Sequence, residues 1–220
     1  MRTRVKVCCI TSPEALALAV RHGADAIGLV GPMPSGTGII DLDRARLLAR
    51  ATPPGVASFL LGCATDPQQL VEQARYVAPT ALQIVDAVEP EAYAALRAAL
   101  PALKIVQVLH VQGPAALEMA ARLAPSVDAL LLDSGEPDAP VRRLGGTGKV
   151  HDWSISGAIV AAVGTPIYLA GGLHPGNVAQ AIRQVRPFGV DLCTGLRTGG
   201  ELDATKLVAF MQAVAATAAS

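Results

Sequence analysis

The chain has 220 residues, of which 51% are hydrophobic and 16% are charged, and its 18 basic residues equal its 18 acidic residues in number. Such a composition excludes a disordered chain and predicts a globular protein with a large interior. The balanced charge gives no general attraction to nucleic acid or to an anionic membrane, so we expect neither as a partner. The length suits one α/β barrel, and we expect residues 1–220 to form a single domain.

The number of cysteines and the lengths of the apolar segments together predict the cellular compartment. The four cysteines are sparse and form no CxxC pair, which argues against a disulfide framework or a zinc site and favours a reducing cytoplasm. The first ten residues contain only a short apolar stretch, too short for an export signal. Apolar runs elsewhere fall far below the roughly 20 residues of a membrane span. We therefore expect a cytoplasmic protein.

Short apolar runs alternate with longer, alanine-rich amphipathic segments along the whole chain. In chain order, each predicted strand is followed by a predicted helix. The pairs are 5–10 and 13–22, 26–31 and 43–51, 56–61 and 67–77, 81–86 and 89–100, 104–111 and 114–123, 129–134 and 154–162, 166–170 and 177–185, and 190–195 and 203–216.

Local signals support this alternation and favour a particular fold. Ser12 before Pro13, and Asp66 before Pro67, are typical of helix N-termini. The run at 129–132 is apolar on both faces, as in parallel strands that helices cover. An open doubly wound sheet has the same local pattern, but eight repeats favour a closed (β/α)8 TIM barrel of the α/β class.

Polar residues at the carboxyl ends of the predicted strands are the candidates for function, because catalysis in such barrels occurs there. Two glycine turns, after the seventh and eighth strands, predict a phosphate site, since glycine lets the backbone approach an anion closely. The candidate phosphate ligands are Gly171, Gly172, Cys193, Thr194 and Gly195.

Several motifs together resemble one known family. They are Lys6-Val7-Cys8, Gly23-Ala24-Asp25-Ala26-Ile27-Gly28, Leu131-Leu132-Asp133-Ser134, Gly145-Gly146-Thr147-Gly148 with Asp152-Trp153, Leu169-Ala170-Gly171-Gly172-Leu173 with Pro175 and Asn177-Val178, and Gly189-Val190-Asp191 with Gly195. In this order, over about residues 4–212, the chain is similar to phosphoribosylanthranilate isomerase of tryptophan biosynthesis.

The resemblance implies a barrel of the ribulose-phosphate-binding type and an isomerase that needs no metal or organic cofactor. Its reaction is the Amadori rearrangement of an aminoaldose phosphate to an aminoketose phosphate. Cys8 corresponds to the family's catalytic cysteine, the general base, and Asp133 to its catalytic aspartate, the general acid. A small sugar phosphate is the expected partner, bound by a monomer or a homodimer. We expect further substrate contacts from Lys6, Gln83, Asp86, Gly146, Thr147 and Arg197.

The chain departs from the family mainly where the substrate's aromatic ring would bind. The family has a serine-proline-arginine loop after the second strand, whose arginine helps hold the anthranilate carboxylate, whereas residues 34–38 read PSGTG. Arg44 and Arg46 follow, within a predicted helix. A family histidine on the fourth strand is replaced by Val85, with Asp86 beside it. Asp86 is expected either to bind an amine or hydroxyl of another substrate or to cap the next helix.

These departures leave three functions open. The first is the family's isomerisation, and the second is a divergent paralogue that isomerises a different phosphorylated aminosugar. The third is a phosphate-ligand binding barrel without catalysis. Cys9 also replaces the glycine that follows the catalytic cysteine in the family. If the strand continues, its side chain points away from that of Cys8, which leaves open which cysteine faces the site.

Overall fold

The structure, a computed structural model, describes residues 2–135 and 150–218. In these ranges eight parallel strands close into a barrel, and a helix follows each strand. The strands are β1 (Arg4–Val7), β2 (Ala26–Val30), β3 (Ala57–Gly62), β4 (Ala81–Ile84), β5 (Lys104–His110), β6 (Ala129–Asp133), β7 (Ile167–Leu169) and β8 (Gly189–Leu192). Pairing of β1 with β8 completes the ring, so the predicted closed barrel is confirmed and the open sheet is excluded.

The helices surround the barrel and begin where the sequence predicts within two residues. They are α1 (Pro13–Arg21), α2 (Leu42–Ala51), α3 (Pro67–Val77), α4 (Pro90–Ala99), α5 (Ala115–Leu123), α6 (Trp153–Ala162), α7 (Val178–Val185) and α8 (Ala204–Ala216). The predicted caps form, since Ser12 accepts the N–H of Ala15 and Asp66 accepts that of Gln69. A small hairpin of β9 (Arg197–Thr198) and β10 (Glu201–Leu202) lies between β8 and α8. In the described ranges none of these helices has the length and apolar character that crossing a bilayer requires.

The first strand is shorter than the sequence predicts, and the reason is local. The prediction extended it to Ile10, but β1 ends at Val7 because Cys9 adopts a left-handed backbone with a φ of 62°. A residue in that conformation cannot continue a strand. The chain turns there, and the N–H of Ile10 then donates to the carbonyl of Gly28 at 2.9 Å. The expectation that Cys9 continues the alternation of strand residues is therefore wrong.

Strand register stacks the inward side chains of the barrel in layers of four from alternate strands, as expected for this fold. From the interior toward the carboxyl ends, successive layers contain Lys6, Phe59, Val106 and Tyr168; Gly28, Gln83, Leu131 and Asp191; Cys8, Leu61, Val108 and Ala170; and Val30, Val85, Asp133 and Cys193. Most members are apolar. A polar or sulfur-containing side chain occurs in every layer, and those of Cys8, Gln83, Asp133 and Asp191 lie in the three layers nearest the carboxyl ends.

Candidate active site

A cavity that is open to solvent lies at the carboxyl ends of the strands. Its walls combine a broad apolar surface with a few polar groups, the composition typical of small-molecule sites. The apolar lining includes Val30, Leu61, Val85, Val108 and Leu131. The polar lining includes Cys8, Gln83, Asp133, Asp191 and Thr194. Both predicted catalytic residues therefore face one cavity.

Asp133 ends β6 and is held by the backbone that follows it. Its Oδ1 accepts the N–H of Ser134 at 2.7 Å. Burial raises the pKa of Asp133 to about 6, and the negative charge of Asp191 adds to the rise, while the Ser134 N–H and the Lys6 cation oppose it. A carboxyl with this pKa retains a proton in a useful fraction of molecules near neutral pH, as a general acid requires.

Cys8 is a buried free thiol beside the cavity. Burial raises the pKa of this thiol to about 11, and Asp191 adds to the rise, whereas the Lys6 cation lowers it. The thiol is therefore protonated at neutral pH. To act as a general base, Cys8 must lose its proton, so it needs nearby groups that lower the pKa of its thiol.

A buried ion pair lies beneath Cys8. Lys6 has no solvent exposure, and its Nζ lies 2.9 Å from Oδ1 of Asp191. Gly28 leaves space for this arrangement, since a Cβ there would lie 2.6 Å from Sγ of Cys8 and 3.0 Å from Nζ of Lys6. Asp191 reaches the cavity, but Lys6 is absent from its lining. The structure thus places the predicted substrate contact Lys6 below the site rather than at its surface.

Cys9 and Cys193 form a disulfide, which the cysteine spacing did not indicate. The bond joins the segments that follow β1 and β8, the two strands whose pairing closes the barrel. Cys8 and Cys9 both line the cavity, and the bond leaves Cys8 as the cysteine of this pair that keeps its thiol. Cys193, a predicted phosphate ligand, lines the cavity in its bonded form.

The predicted phosphate end is built from two loops in close contact. Gly171 and Gly172 both have left-handed backbones, with φ values of 84° and 62°. A side chain on Gly195 would overlap the carbonyl oxygen of Leu173, so only glycine lets the loop after β8 approach the loop after β7. Thr194 begins a 3-10 turn at the same place and lines the cavity. The loops thus form a compact backbone surface on one side of the cavity.

The remaining predicted contacts fall in different places. Gln83 lines the cavity, but Asp86 does not, and its backbone carbonyl accepts a hydrogen bond from Gln107 at 2.9 Å. Arg197 is also absent from the lining. Its guanidinium donates to the carbonyls of Cys8 at 3.0 Å and of Cys9, so it braces the backbone after β1. Gly146 and Thr147 lie outside the described residues.

The loop after β2 forms one side of the cavity mouth. Ser35, Gly36 and Thr37 contribute to the lining, and the described lining contains no arginine. Arg44 does not fill that role, because its Nε donates to the carbonyl of Thr11 at 3.1 Å. Arg46 stacks over the ring of Tyr76. The described residues therefore offer no replacement for the arginine that the sequence lacks.

Asp191 is the site residue that sequence reasoning missed. The residue was noted only within a Gly-Val-Asp motif, although a signal for its role was present. In a parallel barrel whose first and last strands pair, an inward acid on β8 meets an inward base on β1, and Lys6 pairs with Asp191 in the register. Because a buried charge requires a partner, the lysine at the centre of an apolar strand already predicted an acid nearby.

Comparison with known proteins identifies the family. Residues 5–213 match the family model described as N-(5′-phosphoribosyl)anthranilate (PRA) isomerase. An N-(5′-phosphoribosyl)anthranilate isomerase of Halobacterium salinarum is 40% identical over 219 residues, which cover 98% of this chain and 97% of the relative.

Solved structures agree with the sequence relatives. Phosphoribosyl anthranilate isomerase from Thermotoga maritima superposes with a TM-score of 0.83 at 29% identity, covering 97% of this chain and 99% of that one. Another isomerase structure, a complex with reduced 1-(o-carboxyphenylamino)-1-deoxyribulose 5-phosphate, gives 0.80 at 26% identity with the same coverage. The chain therefore belongs to the phosphoribosylanthranilate isomerase family.

Proposed function

We propose that this barrel isomerises N-(5′-phosphoribosyl)anthranilate, with Asp133 as general acid and Cys8 as general base. The observation that carries the proposal is that both residues face one apolar cavity beside two glycine loops. An acid, a base and an anion-binding backbone are the three elements that the Amadori rearrangement of a phosphosugar requires. The family of the chain performs this reaction in tryptophan biosynthesis.

Two proton transfers, to the ring oxygen and from C2, form an enolamine; its conversion to the ketone then adds a proton at C1 and removes one from the C2 hydroxyl, so all atoms are conserved. Asp133 donates its proton to the furanose ring oxygen as the C1–O bond breaks, and the amine nitrogen supplies electrons to form an iminium. The iminium acidifies the adjacent C–H, and the thiolate of Cys8 removes the C2 proton. The enolamine then tautomerises to the ketone. Each positioned transfer contributes roughly 10² to 10⁴ in rate.

The ionisation states of the two groups work against this reaction, because the acid ionises at a lower pH than the thiol. The productive form has Asp133 protonated and Cys8 deprotonated. With pKa values of about 6 and about 11, a difference of five units, this form is about one molecule in 10⁵ between those pH values. Any interaction that lowers the thiol pKa therefore increases the active fraction directly.

The rest of the cavity matches the parts of this substrate. We propose that Gly171, Gly172, Thr194 and Gly195 bind the phosphate through backbone groups and the threonine hydroxyl. The apolar wall, which includes Val85 and Val108, receives the aromatic ring. Gln83 has a buried Oε1 without a hydrogen-bond partner, and a donor on the sugar or the amine would satisfy it.

The direct test is turnover of N-(5′-phosphoribosyl)anthranilate by the purified protein, followed as loss of anthranilate fluorescence, together with rescue of a tryptophan auxotroph that lacks the isomerase. Cys8→Ser and Asp133→Asn should each reduce kcat by about 10² to 10⁴. Cys63→Ser is the matched control, because Cys63 is, in the described ranges, the other cysteine outside the disulfide, and it does not line the cavity. A well-folded wild-type protein that neither turns over this substrate nor rescues growth would refute the proposal.

A second candidate is a paralogous isomerase for a phosphorylated aminosugar without a carboxylated ring. The observation that favours it is the mouth loop, in which Ser35, Gly36 and Thr37 offer no positive charge to a carboxylate. Under this alternative, acid, base and phosphate loops remain, but aminosugar phosphates with uncharged amine substituents are turned over faster than the anthranilate substrate. Comparing kcat/KM for the two substrate types distinguishes the candidates.

A further inference from the structure

We propose that Lys6 is a positioning residue that holds a cation beneath Cys8 to favour its thiolate, with Asp191 anchoring that cation. The inference rests on the proposed role of Cys8 as general base. It assigns Lys6 a different role from the substrate contact that its sequence position suggested. It also gives Asp191 a role in setting up the base.

The geometry keeps Lys6 away from substrate and close to the thiol. Lys6 is fully buried and does not line the cavity, so a bound sugar phosphate cannot contact its Nζ directly. Because Gly28 has no side chain, the Nζ of Lys6 and the Sγ of Cys8 can both lie against its backbone in the barrel interior. Below, the Nζ lies 5.4 Å from the ring centroid of Phe59, an arrangement that favours the charged amine.

Asp191 maintains both the charge and the location of Lys6. Burial lowers the pKa of Lys6, but Asp191 and Cys8 outweigh burial, so its pKa lies above the ordinary value. Buried ion pairs are poor stabilisers compared with well-packed apolar residues, because desolvation offsets their attraction. A pair in this position is better explained by what it does to Cys8 than by stability.

Other titratable groups facing the thiol come from several strands. Asp191 on β8 opposes the thiolate, and Asp133 on β6 and Tyr168 on β7 both interact with the Lys6 charge. Arg197 lies near the end of β1, but its guanidinium is occupied with backbone carbonyls, including that of Cys8. Arg197 also interacts with the charge of Cys8, so two described cations act on the thiol, and Lys6 is the one that lies in the barrel interior beneath Sγ.

The test measures the thiol itself rather than turnover. In a Cys63→Ser background, the rate of Cys8 alkylation by iodoacetamide is followed at pH 9 by peptide mass spectrometry. Lys6→Met leaves Asp191 without its cation and should slow alkylation at least tenfold. Lys6→Met combined with Asp191→Asn also removes the opposing carboxylate, so it should slow alkylation by a smaller factor. Tyr168→Phe, in the same layer as Lys6, is the matched control and should leave the rate within twofold.

The outcomes separate this inference from the proposed function. Variants that are folded by circular dichroism but alkylate at the wild-type rate would overturn the role of Lys6. The double variant leaves no unpaired buried charge, so it decides the question if Lys6→Met alone does not fold. Lys6-dependent alkylation in a wild-type protein that lacks isomerase activity would instead overturn the function and retain the positioning of the thiolate.

Discussion

Asp133 and Cys8 experience the same buried environment with different chemical consequences. Burial keeps the proton on a carboxyl, which prepares Asp133 to act as an acid, and its pKa rises to about 6. Burial also keeps the proton on a thiol, which opposes the role of Cys8 as a base. One apolar cavity therefore helps the acid and hinders the base, and the two roles require different neighbours.

The raised pKa of Asp133 implies a cost in stability that its replacement would remove. The folded state binds the Asp133 proton more tightly than the unfolded state, whose carboxyl has a pKa near 3.8, so stability is lost as pH rises from about 4 through about 6. Asp133→Asn should increase the free energy of unfolding by about 1–3 kcal/mol at pH 8 and change it little at pH 4. Urea denaturation at both pH values measures this difference.

Asp128 provides a control of opposite sign for that measurement. Burial would raise the pKa of Asp128, but hydrogen bonds from Ile105, Arg97 and Lys104 outweigh burial and hold it below the ordinary value. Its ionised form therefore stabilises the folded state above the unfolded pKa, and Asp128→Asn should destabilise the protein at pH 8. Equal effects of the two substitutions would contradict the assignment of Asp133 as a destabilised carboxylate.

At the scale of elements, the sequence predicts helices better than strand ends. Side-chain caps such as Ser12 and Asp66 fix where a helix begins, so the start is a local property. A strand ends where its hydrogen-bonded ladder ends, and this depends on neighbours that are distant in sequence. Val85 and Val111 remain buried beyond the ends of β4 and β5, so apolar character alone extended the predicted strands too far.

The contact between the loops after β7 and β8 makes a prediction about phosphate binding. Gly195→Ala forces a Cβ into the carbonyl oxygen of Leu173, so the loops must separate. We expect a KM for the phosphosugar, or a Ki for inorganic phosphate, at least tenfold higher, with a modest loss of stability. Gly164→Ala is the matched control, since its Cβ meets nothing within 4 Å. Unchanged phosphate affinity in Gly195→Ala would show that these loops do not bind the phosphate.

The loop after β2 makes a prediction about the aromatic ring. Thr37 is exposed at the cavity mouth, so an arginine there has space to reach a bound carboxylate. A charge-assisted hydrogen bond of about 1.5–3 kcal/mol would lower KM for the anthranilate substrate roughly tenfold or more in Thr37→Arg. Thr37→Gln supplies similar bulk without charge and should have little effect. A KM that stays unchanged in both variants would indicate that the ring binds elsewhere.

For the whole molecule, closure of the barrel determines which distant residues meet, and this is where sequence reasoning stopped short. Counting eight strands predicted the fold, and closure then makes the first strand a neighbour of the eighth. That step predicts both the pairing of Lys6 with Asp191 and the proximity of Cys9 to Cys193. Cysteine spacing along the chain carries no such information, because these two cysteines are 184 residues apart. Interatomic distances and pKa values depend on packing that the sequence pattern does not specify.

The disulfide between Cys9 and Cys193 should stabilise the closed barrel as a whole. Joining residues so far apart in sequence restricts the unfolded chain strongly, and bonds of this kind typically contribute about 2–5 kcal/mol. We expect Cys193→Ser, or reduction of the wild type, to lower the free energy of unfolding by that amount, while Cys63→Ser leaves it unchanged.

Alkylation of the cysteines tests whether this bond is present. When the protein is unfolded without reduction, the reagent should label Cys8 and Cys63 and spare Cys9 and Cys193. Labelling of all four cysteines would show that the bond is absent, as a reducing compartment would favour. Closure between β1 and β8 would then depend on their strand pairing, the Lys6–Asp191 ion pair and the contacts of Arg197 with the carbonyls of Cys8 and Cys9.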